Sequence, residues 1–452
     1  MKARMTGRLG LAAALLGLLM ACGGGNDGGG GGTPAPLQLA TPGEAVVKVR
    51  SLGTAWVALA EKARTLEIPT QPQRRLLVSQ GAGYQPPAGW SLLDFALHPS
   101  GQISLLLGSD RALRLLRLPA TGLPLHEQDF TDPLAASDPF VGDSQAARDP
   151  QSLLPHYTRD AARLAPLGED VALAFRSGRH AVVLHRLGYA APGGFTQQWR
   201  RLVEPGVFIG ARFLTGGSFD PFKSLDHQWR LVLDADPQGR IAVAVSLDST
   251  DLIDGHGQHF GEPLDPRVAN GLLLSQFSAG GQRLGTALVD TQQRSELQAL
   301  RWVGGQVAAA GRVRSRQTAD GWDAFLALVP AGATAASAYR VLDFDAGDVA
   351  FDVAQRADGR LLLAGSTGYT QNPTGASISE DAKPLLALLS ADGLLQQRLM
   401  PTPGLRHNQL RALAPRGDGW LTGGMENGPG THSADANPAL LVADGYLREL
   451  RF

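Results

Sequence analysis

The sequence predicts an all-β chain of repeated four-stranded units behind a short N-terminal leader. Three observations lead there. Apolar residues at helical spacing are scarce over the 452 residues, while short apolar runs bounded by Gly and Asp recur throughout. Tight-turn dipeptides return at similar intervals, which marks an internal repeat. The composition is 43% hydrophobic with a single cysteine, so a core is affordable and a disulfide framework is excluded.

The leader comes first in chain order. Lys2, Arg4 and Arg8 form a basic flank, and residues 9–20 are Leu, Ala, Gly and Met. That run suits the apolar core of an export signal and falls short of the roughly 20 residues that span a bilayer. Small Ala21 precedes Cys22, with Leu19 three positions before the cysteine. The stretch Leu19-Met20-Ala21-Cys22 resembles the lipobox of bacterial lipoproteins. The resemblance implies a signal peptide over 1–21, cleavage before Cys22, diacylglycerol on its thiol and acylation of the new amine, for example by palmitate. One acyl chain holds a protein marginally and two or more hold it firmly. Gly23, rather than Asp, resembles the pattern of lipoproteins sorted to the outer membrane. Residues 22–36 then carry the cysteine and a Gly-rich tract that reads as a flexible tether.

The remaining residues, 37–452, read as one domain. Its clearest repeat runs F-D-V-A-Q-R-A-D-G-R over 351–360 and L-L-L-A-G over 361–365. After a polar loop, P-L-L-A-L-L-S-A-D-G over 384–393 leads into 394–400. The next copy has 410–419, then W-L-T-G-G over 420–424, P-A-L-L-V-A-D-G over 438–445, and 446–452. Each copy reads as hairpin, loop, hairpin, because Asp-Gly between apolar alternations marks a two-residue turn with positive φ at both positions. Four earlier copies keep the frame. Their first turns fall at Ser100-Gly101, Gly168, Gln238-Gly239 and Gly304-Gly305, and their second near Gly122, Gly193-Gly194, Gly280-Gly281 and Gly332. First turns are 54 to 71 residues apart, so the variation lies in the loops.

This pattern resembles bacterial β-propeller repeats over residues 90–452, which implies four-stranded blades around an axis. Six blades are counted directly. The runs Val46-Val47-Lys48-Val49-Arg50, Trp56-Val57-Ala58-Leu59 and Arg75-Leu76-Leu77-Val78 favour a seventh. The alternative is six blades with 37–89 as an N-terminal extension.

In such a blade the A–B and C–D turns share one face, and the B–C loops and blade-to-blade connections share the other. The second set holds nearly every long insertion, including 123–160 with His126, Asp129, Asp132, Asp138, Asp143, His156 and Tyr157, and 203–228 with Phe208, Arg212, Phe213, Phe219, Phe222 and His227. Long loops on a rigid scaffold are where binding concentrates. The B–C loop near 248–259 gathers Asp248, Asp251, Asp254, His256 and His259, a donor set for Ca²⁺ or another divalent metal, although its spacing is not that of a regular EF-hand loop. Arg312, Arg314 and Arg316 alternate along a strand end and are candidates to grip an anionic ligand such as a carboxylate or acidic sugar.

Charge sets limits on partners. The leader holds three bases and no acid, so the formal net charge of -1 becomes -4 for 22–452. With no Lys/Arg-rich run, nucleic acid is not an expected partner. The sequence has no G-x-S-x-G, H-E-x-x-H or P-loop signature, and no catalytic residue is assigned. The expectation is a monomeric, lipid-anchored envelope propeller of the outer membrane, binding an envelope protein or glycan through its loop-rich face, with no certain cofactor. The alternative is a propeller hydrolase or lyase with a metal or acid–base site on that face.

Overall fold

The computed structural model describes residues 38–62, 73–109, 112–119, 125–130, 162–177, 181–203, 231–248, 270–293, 295–315, 321–344, 347–368, 382–399, 408–426 and 444–451. Every regular element among them is a β-strand, and no helix there is long and apolar enough to cross a membrane. After β1 (Gln38–Pro42), blade 1 comprises β2 (Glu44–Leu52), β3 (Ala55–Lys62) and β4 (Arg74–Val78). Blade 2 is β5 (Ser91–Leu97), β6 (Ile103–Gly108), β7 (Leu113–Leu118) and β8 (His126–Phe130); blade 3 is β9 (Ala162–Leu167), β10 (Asp170–Ser177), β11 (Ala181–Ala190) and β12 (Gly194–Leu202). Blade 4 holds β13 (Val232–Ala235), β14 (Ile241–Asp248), β15 (Asn270–Phe277) and β16 (Arg283–Asp290); blade 5 holds β17 (Ser295–Val303), β18 (Gln306–Arg314), β19 (Trp322–Pro330) and β20 (Ala338–Leu342). Blade 6 is β21 (Val349–Gln355), β22 (Leu361–Thr367), β23 (Lys383–Leu389) and β24 (Leu395–Leu399), and blade 7 contains β25 (Gln409–Arg416), β26 (Gly419–Glu426) and β27 (Asp444–Leu450). All pairings are antiparallel, and the molecule is a seven-bladed propeller.

The apolar runs follow from this arrangement. Each blade is packed on both faces, so its middle strands lack the polar alternation of a sheet with one wet side. In β6, β18, β22 and β26 nearly every residue is buried. Seven apolar clusters occupy the seven junctions. One joins Val46, Val49 and Ala58 of blade 1 to Ala412, Leu421 and Leu447 of blade 7, which closes the ring. The other six fill the successive junctions from blades 1–2 to blades 6–7.

Two expectations change. The Asp358-Gly359 and Asp392-Gly393 turns exist, but only the glycines are left-handed, with φ of 84° and 82°. Arg356 N–H donates to Arg360 O and Gly359 N–H to Arg356 O, which makes a three-residue loop rather than a two-residue one. Asp444-Gly445 is not a turn. Both residues lie in β27, opposite Pro42 and Thr41 of β1. The fourth strand of blade 7 therefore comes from the start of the domain, not from 446–452. Gly445 serves close approach instead: a Cβ there would stand 2.1 Å from Thr41 Oγ1 and 2.2 Å from Glu44 O. In blade 1 the fourth strand shrinks to a bridge between Leu76 and Tyr84.

Strand direction sorts the connections onto two ends of the barrel of blades. At the A–B and C–D end, every turn between two strands of one blade has seven residues or fewer, and the longer connection that leaves it, 79–90 from β4 to β5, carries the Tyr84 bridge back along blade 1. At the opposite end lie the spans 131–161, 203–231, 249–269, 368–382 and 427–443. His126 and Asp129 leave the expected loop and sit in β8, where Asp129 pairs with Arg114 at 2.6 Å.

Candidate functional site at the centre and the loop-bearing rim

The first strand of each blade is the innermost, and successive first strands touch around the ring. Five of them carry a bulge near the loop-bearing end, at Val46/Lys48, Leu92/Asp94, Leu297/Ala299, Ala350/Asp352 and Leu410/Ala412. A bulge re-aims the side chain that follows it. In β2, β5 and β21 that residue is charged: Lys48, Asp94 and Asp352.

The result is an ionic belt between inner strands. Lys48 Nζ donates to Asp94 Oδ1 at 2.5 Å and to Phe95 O at 2.9 Å. Asp94 Oδ2 also accepts the Leu164 N–H of blade 3 at 2.9 Å. Blades 5 to 7 repeat the device. Arg301 grips Asp352 through Nε and Nη2 at 3.1 and 2.8 Å, and Asp352 Oδ2 accepts the Leu413 N–H at 3.0 Å. In blade 4 Asp234 Oδ2 accepts the Trp302 N–H at 2.8 Å. Asp234 lacks an ion pair among the described residues, and burial, only partly offset by that hydrogen bond and by Lys48, pushes its carboxyl up to about 7. Asp234 keeps some accessible area, yet it lies deep among the inner strands, where the charged form is costly. Burial also lowers the Lys48 ammonium, against the pull of Asp94, and Arg301 and Arg163 lower it further.

A second group sits on the loop-bearing rim of blades 5 and 6. Arg312, at the end of β18, donates to Glu296 Oε2 of β17 at 2.8 Å, and its guanidinium lies 4.4 Å from the centre of the Trp322 ring. Arg314 stands 5.9 Å from the same ring. Arg312 is thus a buried strand-to-strand link, while Arg314 is half-buried at the strand end. Asp323, next to Trp322, meets Asp343 and Asp348 of the connection into blade 6, with one carboxylate oxygen from each within 4.8 Å of the others. Asp348 N–H donates to Trp322 O at 2.6 Å, and Asp348 Oδ2 accepts the Phe344 N–H at 2.6 Å. Burial raises the Asp323 carboxyl; a hydrogen bond from Ser315 opposes this and the charge of Asp343 adds to it. Three oxygen donors of this kind form a group that could hold a hard cation.

Of the residues singled out in the sequence, Arg312 and Arg314 come together around Trp322, and Arg316 lies outside the described residues. Cys22, Asp251, Asp254, His256 and His259 also lie outside them, as do Phe208, Phe213, Phe219 and Phe222; for Asp248 only the backbone, at the end of β14, is described. Sequence reasoning missed the belt and the acidic trio. The signal for the belt was present as a lone charge in an apolar inner strand, as in Leu92-Leu93-Asp94-Phe95 and Val232-Leu233-Asp234-Ala235. The trio left none, because Asp323 stands in β19 while Asp343 and Asp348 lie in the connection from β20 to β21.

Comparison with protein families and with curated proteins finds no match. Solved propellers do resemble the chain. The WD40 repeats of RRP9 align over 91% of this chain and 97% of theirs at 10% identity and a TM-score of 0.45. The polysaccharide lyase Uly1 aligns over 90% of both chains at 10% identity and 0.42. The β-propeller domain of the Trilobed protease from Pyrococcus furiosus aligns over 86% of this chain and 93% of its own at 8% identity and 0.40. The chain is similar to these proteins in fold.

Proposed function

We propose that the protein is a lipid-anchored cell-envelope propeller that binds an envelope protein or glycan through its loop-bearing face. One observation carries the reading. Every connection longer than twelve residues between described strands leaves the same end of the blades, so the scaffold carries its long insertions on one surface. The anchor is read from Leu19-Met20-Ala21-Cys22, and Cys22 is the only cysteine. The test is capture from envelope extracts and on glycan arrays by the anchored protein. Short Gly-Ser turns in place of 249–269 and 369–381 should abolish capture, while Asp358→Asn at a tight turn should leave it intact. Capture indifferent to both loops would sink the proposal.

A second reading, an enzyme with a metal site on the same face, is favoured by the trio Asp323, Asp343 and Asp348. Calcium titration followed by thermal unfolding separates the two. A saturable rise in Tm that Asp323→Asn removes supports the metal, and a flat response removes this reading.

A further inference from the structure

The end of the propeller opposite the long loops has its own character. Six large hydrophobic side chains are exposed among the described residues, and five of them lie at this end. Leu52 closes β2 at the first turn of blade 1 and is 41% exposed. Leu125 precedes β8 at the second turn of blade 2 and is 52% exposed. Leu284 sits at the start of β16, and Leu394 and Leu395 enter β24 of blade 6. Tight polar turns do not need leucines, and the sites are spread over four blades rather than gathered as one packing defect. Val341, the sixth, lies farther along β20, away from its turn.

The chain also enters the propeller at this end. Strand β1 pairs with β27 in the register Gln38 to Arg448 and Pro42 to Asp444. Residue 444 follows the long connection 427–443, and residue 450 ends the strand at the opposite face. Gln38 therefore stands toward the tight-turn end, and β1 runs from there to the loop-bearing end before Gly43 turns it into β2. Fourteen residues, 23–36, separate the cysteine of the lipobox-like motif from the domain. A flexible Gly-rich chain of that length spans roughly 20 Å root-mean-square.

We infer that the tight-turn end, with Leu52, Leu125, Leu284, Leu394 and Leu395, rests on the lipid bilayer, and that the loop-bearing face points away from it. The inference rests on the lipid-anchor reading above. A short tether joined at one end of the blades keeps that end near the bilayer, and exposed leucines at a headgroup boundary gain from each apolar contact they bury.

The test uses the acylated mature protein in vesicles containing headgroup spin-labelled phosphatidylcholine. Once Cys22 is acylated, an introduced cysteine is the single free thiol and takes one fluorophore. Leu284→Cys and Asp290→Cys place it at opposite ends of the same strand, about 20 Å apart. Leu394→Cys and Ala88→Cys repeat the contrast on blade 6 and on the connection leading into blade 2. Quenching at 284 and 394 should exceed that at 290 and 88 at least threefold, and Leu394→Glu with Leu395→Glu should reduce the contrast for the 284 label. Equal quenching at all four positions, or the reverse order, overturns the orientation. The acyl mass on Cys22 and flotation with vesicles are read on the same samples. A protein without the acyl mass that fails to float defeats the anchor reading and the orientation together, whereas an acylated, floating protein with equal quenching defeats the orientation alone.

Discussion

At the scale of single residues, two titratable groups shifted by their surroundings carry opposite pH signatures. His98 closes the first turn of blade 2, with Nε2 2.8 Å from Ser104 Oγ and Nδ1 2.7 Å from Gly168 O of blade 3. Burial, countered in part by that carbonyl, lowers the imidazole to about 4. The folded state then resists a proton that the unfolded chain accepts near 6.5. The stabilisation is complete above 6.5 and is lost as pH falls from 6.5 to 4, by about 3 kcal/mol at most. His98→Gln should be less stable at pH 7.5 but flatter between 6.5 and 4.5, as urea midpoints at the two ends will show. Asp234 runs the other way. Its folded value lies above its unfolded one, so its contribution is present below about 4 and is lost as pH rises through about 7. Asp234→Asn keeps an acceptor for the Trp302 N–H and removes the charge. It should raise stability at pH 8 by roughly 1–3 kcal/mol and change little at pH 3.5. An unchanged midpoint at pH 8 would mean that the carboxylate is well solvated in the folded state.

Among the elements, β1 decides whether the ring is closed. It fills the outer edge of blade 7, so the first and last described strands of the chain share one sheet. An unpaired edge there would leave a row of backbone groups open to other chains. Gly445→Val drives a side chain into Thr41 Oγ1 and the Glu44 carbonyl, both fixed by the closure. It should cost about 2 kcal/mol or more and expose residues 38–42 to early proteolysis, measured by thermal unfolding and by the order of cleavage sites. The reading of Asp444-Gly445 as a turn failed at this scale. A dipeptide reports its local conformational preference, and here a distant strand set the requirement for glycine. The three-residue loops at Asp358-Gly359 and Asp392-Gly393 show the milder form of the same limit. The turn position was legible, while its loop length depended on a backbone hydrogen bond that no pattern displays.

For the whole molecule, stability is distributed around a circle. Each of the seven junctions has its own apolar cluster, and the inner strands add ion pairs that cross from blade to blade. Such buried pairs are weak sources of net stability, but breaking one by removing a single partner is costly. If the lipid reading holds, Cys22→Ser should move the protein from the membrane to the soluble fraction and remove the acyl mass, while the unfolding midpoint of the domain stays unchanged. Retention on the membrane by the serine variant would point to another attachment.

The sequence alone determined the strand content, the hairpin repeat and the separation of tight turns from long loops. These are local properties: φ preferences at glycine, β-favouring side chains and apolar runs act over a few residues. It also displayed the lone charges of Asp94, Asp234 and Asp352, without a reason for them. The tertiary structure alone decided that β1 completes blade 7, that Arg312 is a buried link to Glu296, and that Asp323, Asp343 and Asp348 converge. Each of those outcomes depends on groups from separate strands or connections meeting in space: β1 meets β27 across the whole domain, Arg312 faces Glu296 across the β17–β18 hairpin, and the trio joins β19 to the connection after β20. The energy of such a meeting belongs to the pair, so the composition of one strand does not record it.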